Sequence, residues 1–264
     1  MPSPFLKCEV NMSYKKNFLI TIFLALFTIL FIIKIDTIFK KHTNILVENN
    51  EIKVYEKQKI IVSHNFDSME IQSYAIGDIN NDNNDEVILV LKNKGDKFGC
   101  QIIILNANDL NEIYKSNYEN INPWKVDIGD ADGDGIKDIC IGAYTTTRFY
   151  KGFDKRPYIY NFINNDLYPK WLGSRLSRPF EDYAFFDVDN DGADEIVAIE
   201  KLEDCRKILN SYKWKGFGLE GFAESDYFDD IKEINKKDNK LFVKVLVNNK
   251  WQTKRIIYKD GKLK

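Results

Sequence analysis

Three short loops of this chain carry oxygen-bearing side chains at fixed spacing: Asp78, Asn80, Asp82 and Glu86; Asp130, Asp132, Asp134 and Asp138; Asp187, Asp189, Asp191 and Glu195. Counted from the first Asp, these are positions 1, 3, 5 and 9. Hard oxygen donors at that density suit calcium. Without a cation, three or four acids within nine residues repel one another. Gly135 and Gly192 at position 6, and Asn83 in the first loop, are the residue types that accept the left-handed backbone of a sharp turn. The carbonyls of position 7, from Asn84, Ile136 and Ala193, are expected to complete the shell. An EF-hand begins in the same way but needs a bidentate Glu at position 12, where this chain has Leu89, Ile141 and Ala198. Asn-Asp and Asp-Gly pairs also suit a plain turn. The acid at position 9, which a plain turn does not require, favours the metal.

The elements that must hold these loops are strands. Each loop runs into a short β-branched segment, Glu86–Leu91, Asp138–Ala143 or Glu195–Ile199. The first Asp recurs at 78, 130 and 187, separations of 52 and 57 residues, which is the size of a propeller blade. A fourth, decayed copy lies over 233–241, where the ammonium groups of Lys237 and Lys240 stand in for a cation; that copy is expected to be metal-free. A coarse blade reads as a strand ending at the loop, then strands over 86–92, 100–107 and 112–117. The last repeat supplies only three strands, and the run Lys59–Ser63 is expected to provide the fourth and close the ring, hiding the sheet edges. The expected fold is an all-β propeller of about four blades over 58–264. A fifth blade from Asn44 to Glu56, or an open array of sheets, are the alternatives.

The pattern G-D-x-[DN]-x-D-x-x-x-[DE] followed by an apolar strand resembles the FG-GAP or VCBS repeat of the integrin alpha-subunit β-propeller and of many bacterial surface proteins, and Cys140-Ile141-Gly142-Ala143-Tyr144 resembles its GAP half. The resemblance covers most of 58–264. It implies a propeller that binds proteins or sugars, or that spaces other domains.

Ahead of the repeats, Phe18–Ile33 is a run of sixteen uncharged residues, apolar except for Thr21 and Thr28, preceded by Lys15 and Lys16. With Lys34 snorkelling and Ile35, Thr37, Ile38 and Phe39 extending it, residues 18–39 are read as an uncleaved transmembrane anchor. No small-residue cleavage site follows. Residues 1–17 are then cytoplasmic, 40–57 a linker, and 58–264 an extracytoplasmic domain at the cell surface, where calcium is abundant enough to fill exposed loops.

Chemistry outside the loops is sparse. Two histidines, His42 and His64, leave little material for a His-based catalytic pair or a zinc site, and no phosphate loop is present. The four cysteines show no disulfide framework, and Cys140 is expected to be a small buried apolar residue. At a net charge of −2, nucleic acid is not an expected partner. Arg148, Lys151, Lys155 and Arg156 read as a solvated loop, with anion binding as the alternative. Trp124, Trp171, Trp214 and Trp251 are expected mainly between blades. The aromatic-rich Pro157–Pro179, which makes the second repeat the longest, is either extra core or a contact surface for a protein or carbohydrate. The sequence thus points to a non-catalytic, calcium-binding surface module. The alternative is a lyase or hydrolase acting on a surface polysaccharide, recognisable by two free carboxylates, or a Tyr with an Arg, in an open cleft.

Overall fold

The computed structural model describes residues 43–173 and 175–264. The chain divides into Met1–Asn44, of which only the last two residues are described, and Ile45–Lys264. The anchor expected over 18–39 lies outside the described residues, and among those no helix is long and apolar enough to cross a membrane.

The described chain is a five-bladed propeller arrangement of meandering sheets. The first sheet is β1 (Thr43–Glu48), β2 (Glu51–Glu56) and β3 (Lys59–Asn65). The second holds β4 (Met69–Gly77), β5 (Glu86–Asn93), β6 (Gln101–Asn106) and β7 (Glu112–Asn117). The third holds β8 (Lys125–Gly129), β9 (Asp138–Thr145), β10 (Asp154–Ile163) and β11 (Asp166–Leu172). The fourth holds β12 (Phe180–Phe186), β13 (Glu195–Lys201), β14 (Lys207–Trp214) and β15 (Leu219–Glu224). The fifth holds β16 (Asp230–Lys237), β17 (Lys240–Val247) and β18 (Lys250–Ile256). A small hairpin of β19 (Tyr258–Lys259) and β20 (Lys262–Leu263) ends the chain.

Two expectations change here. Five sheets replace the four-bladed ring, and Lys59–Ser63 does not complete the last sheet: β3 pairs antiparallel with β2, from Glu51↔Asn65 to Glu56↔Lys59. The expected linker over 40–57 therefore contains β1 and β2. The physical reason is the economy of the turns. Asn49-Asn50 and Lys57-Gln58 have φ of 49° and 67°, and 47° and 68°, the two-residue hairpin in which both central residues are left-handed. Three strands then fit in a segment that looked too short for a blade. The same turn recurs at Asn164-Asn165, Asp238-Asn239 and Asn248-Asn249.

The apolar runs after the loops are central strands, buried on both faces because each lies between neighbouring sheets. In β5, Val87, Leu89 and Leu91 join Ile52 and Val54 of the first sheet, whereas Ile88 and Val90 join Val126, Ile139 and Ile141 of the third. In β13, Ile196 and Ala198 pack with Cys140, Ile159 and Tyr183, whereas Val197 and Ile199 pack with Leu241, Val243 and Val245 of the fifth sheet. Four successive interfaces thus each have a core. Among the described residues no fifth core joins the last sheet to the first, and in β17 the alternate residues Phe242, Lys244 and Leu246 remain only partly buried.

The aromatic segment divides, with Tyr168 and Leu172 about half exposed and most of its other large side chains packed. Tyr158, Tyr160 and Phe162 of β10 are core, Trp124, Trp171 and Trp214 pack against the cluster between the third and fourth sheets, and Cys140 is fully buried.

Candidate metal centres

The first strands of four sheets lie side by side, β4 next to β8, β8 next to β12, and β12 next to β16. The loops that leave their ends share one end of the molecule. A depression of about 750 Å3 there is lined by Asp78 and Asn81 of the first loop, Gly135 of the second, Asp187 and Asn190 of the third, and Lys236 to Asn239 of the fifth sheet. The decayed fourth copy is not a loop at all but the two-residue hairpin at Asp238-Asn239, with Lys237 paired to Lys240.

Each of the three loops is built by one hydrogen-bond scheme. The position-1 carboxylate accepts the N–H of position 6: Asn83 to Asp78 at 2.8 Å, Gly135 to Asp130 at 2.8 Å, Gly192 to Asp187 at 3.0 Å. The position-5 carboxylate accepts the N–H of position 7, from Asn84, Ile136 and Ala193. The position-9 acid accepts the N–H of position 2: Ile79 to Glu86 at 3.0 Å, Ala131 to Asp138 at 3.1 Å, Val188 to Glu195 at 2.8 Å. The expectation that a turn has no use for position 9 is therefore corrected. That acid is fully or almost fully buried in all three loops and caps a buried N–H in the bare turn. Position 6 is left-handed as expected, at Asn83, Gly135 and Gly192, and so is position 4, at Asn81, Gly133 and Asn190.

Burial raises the carboxyl of Glu86 to about 7, with Asp82, Asp78 and Asp85 adding to the rise and the Ile79 N–H opposing it. Burial likewise raises Glu195 to about 7, against the pull of the Val188 N–H and of Lys213. Asp138 is raised for the same reason, opposed first by Lys170.

The three loops differ in how their acids converge. Oxygens of Asp130, Asp132 and Asp134 lie within 4.8 Å of one another, as do those of Asp187, Asp189 and Glu195. Among the described residues the first loop forms no such group, and Asn80 turns its amide nitrogen towards Asp82 and Glu86, at 3.3 and 3.2 Å. The second and third loops each receive an ammonium that sequence reasoning missed. Lys170 Nζ lies 2.7 Å from Asp132 and 2.9 Å from Asp138, and Lys213 Nζ lies 2.8 Å from Asp189, 3.1 Å from Glu195 and against Asp191. The signal for Lys213 is in the register. In the three loop-bearing blades the third strand places a residue opposite the position-9 acid: Asn106 is the register partner of Glu86, Asn161 donates to Asp138, and Lys213 meets Glu195.

The donor set of the third loop fits a hard cation. Asp189 Oδ1 is a buried oxygen that accepts no hydrogen bond, and Glu195 Oε1 is a buried oxygen met only by the Lys213 ammonium at 3.1 Å. Asp194 ties this loop to the second: its carboxylate accepts the Asp130 N–H at 2.8 Å and its own N–H donates to the Asp130 carbonyl at 2.6 Å. A cavity of about 650 Å3 between the two loops is lined by Asp132, Lys170, Asp191, Glu195 and Lys213. No protein-family model and no curated protein matches this chain.

Proposed function

We propose that the chain is a non-catalytic, membrane-anchored, extracytoplasmic propeller of the FG-GAP or VCBS type, whose loops bind calcium as a structural staple while its surface meets a protein or glycan. The observation that supports the calcium reading is the convergence of Asp187, Asp189 and Glu195 oxygens within 4.8 Å of one another, with Asp189 Oδ1 buried and accepting no hydrogen bond and Glu195 Oε1 met only by the Lys213 ammonium at 3.1 Å. Calcium at that cluster would offset two of the negative charges of Asp187, Asp189, Asp191 and Glu195, one more than the Lys213 ammonium it would displace. The second loop follows the same logic with Lys170, and the first, which lacks a converged set, is the weakest.

The enzymatic alternative asks for a Tyr with an Arg, or two carboxylates, in an open cleft. Arg178, Glu200 and Tyr212 form such a group, with Tyr212 donating to Glu200 and Arg178 3.0 Å from it. Yet Glu200 is 0% and Tyr212 3% exposed, which supports reading the group as a structural network closed to a polymer.

Calcium titration calorimetry on the full chain, with a thermal melt at each calcium level, tests the proposal. At ten times the dissociation constant a single site adds about 1.4 kcal/mol to folding, and a rising melt is expected. A melt indifferent to EDTA, with no heat of binding, would reduce the loops to lysine-clamped turns.

A further inference from the structure

Arg156 was expected in a solvated loop, and it is instead one of the most deeply buried side chains, 2% exposed at the start of β10. Its Nε donates to the Thr145 carbonyl at 3.2 Å, and its buried Nη2 donates to nothing. Among the described residues no carboxylate forms an ion pair with it; the nearby Asp154 sits 4.0 Å from Arg175 instead. A desolvated guanidinium with a free donor and no counter-ion is costly unless an anion completes it.

Arg156 also lines a cavity of about 350 Å3, together with Thr147, Phe149, Tyr150, Leu172, Gly173 and Arg175. Both guanidinium groups lie within 6 Å of the Tyr150 ring, at 5.8 and 5.5 Å. Phe149 is 92% exposed and Leu172 52%, so the rim is open and apolar.

We propose that this cavity binds the carboxylate of an acidic sugar. The inference rests on the reading of the domain as a glycan-binding module and is independent of calcium. Arg175 is offset by Asp154, while Arg156 and Arg148, the latter 5.6 Å from the Phe149 ring, leave the site net positive, which suits an anion. The planar fork of an arginine pairs with a carboxylate through two parallel hydrogen bonds. The aromatic and aliphatic rim offers an apolar surface to the C–H face of a pyranose ring, and the cavity is of a size for one such unit.

The test is titration of the full chain with sodium glucuronate, glucose, inorganic phosphate and a short peptide bearing a free C-terminal carboxylate, followed by nuclear magnetic resonance. Glucuronate is expected to bind and glucose not. Arg156→Lys, which keeps the charge and loses the fork, is expected to weaken binding at least tenfold, and Tyr150→Ala, at a half-exposed position, by a similar factor with an unchanged melt. Equal binding of glucose, tighter binding of phosphate or of the peptide, or indifference to both substitutions would overturn the assignment. Capture of a neutral glycan that both variants retain would overturn this site and leave the binding-module reading standing. Conversion of a glucuronate-containing polymer to an unsaturated product would keep the site and overturn the non-catalytic reading.

Discussion

Glu195 serves two roles that the sequence presents as one. Its Oε2 caps the Val188 N–H, a task of the bare loop, and its Oε1 faces the acid cluster, 3.1 Å from the Lys213 ammonium. Glu195→Gln keeps an acceptor for that N–H and removes the charge, so it is expected to fold and melt near the parent in EDTA yet lose the calcium response. Glu195→Ala strands a buried N–H and is expected to cost about 1–3 kcal/mol in either condition. Comparing the two melts with and without calcium separates turn from ligand. Lys213 competes for the same oxygens. Lys213→Met is expected to lower the melt in EDTA, because three acids lose their counter-charge, and to tighten calcium by about tenfold, or about 1.4 kcal/mol, by calorimetry. The spacing of the acids was legible in the sequence. The lysines were not, because Lys170 and Lys213 arrive from strands 32 and 18 residues past the position-9 acid of their loop, and only strand register brings them there.

The central strands were legible as elements because burial on both faces leaves an unbroken apolar run, as in Val87–Leu91 and Ile196–Ile199. The first sheet was legible only as the alternative of a fifth blade over 44–56, because its strands are covered on one face and its turns are Asn-Asn and Lys-Gln rather than glycine pairs. The repeated Asn-Asn was the available clue, since Asn tolerates a left-handed backbone better than any residue but Gly. At Asn165, with φ of 61°, substitution by Val is expected to destabilise by about 1–2 kcal/mol, whereas Asn165→Gly should change the urea midpoint little. Between elements, Asp127 acts as a tie: one oxygen accepts the Phe185 N–H of β12 at 2.8 Å and the other Lys236 of β16 at 2.7 Å. Asp127→Ala is expected to cost about 1–3 kcal/mol in urea unfolding, chiefly through the stranded N–H.

At the scale of the whole molecule, the all-β class, the blade-sized period and a propeller arrangement followed from the recurring loops, while the blade number did not. The count failed at the ends, where the last sheet closes on its own three strands and the final hairpin bridges Leu263 to Ser225 beside the fourth sheet. Among the described residues, four cores shared by five sheets make a series of nearest-neighbour contacts, in which each inner sheet is held from two sides and each outer one from a single side. Stability in such an array is a sum over neighbours, and opening can begin at a terminus and travel inwards. Amide protons of β2 and β17 should therefore exchange with deuterated water well before those of β9 and β13, a gradient that peels the molecule from its flanks like layers and leaves the two interlocked loops among the last to let go.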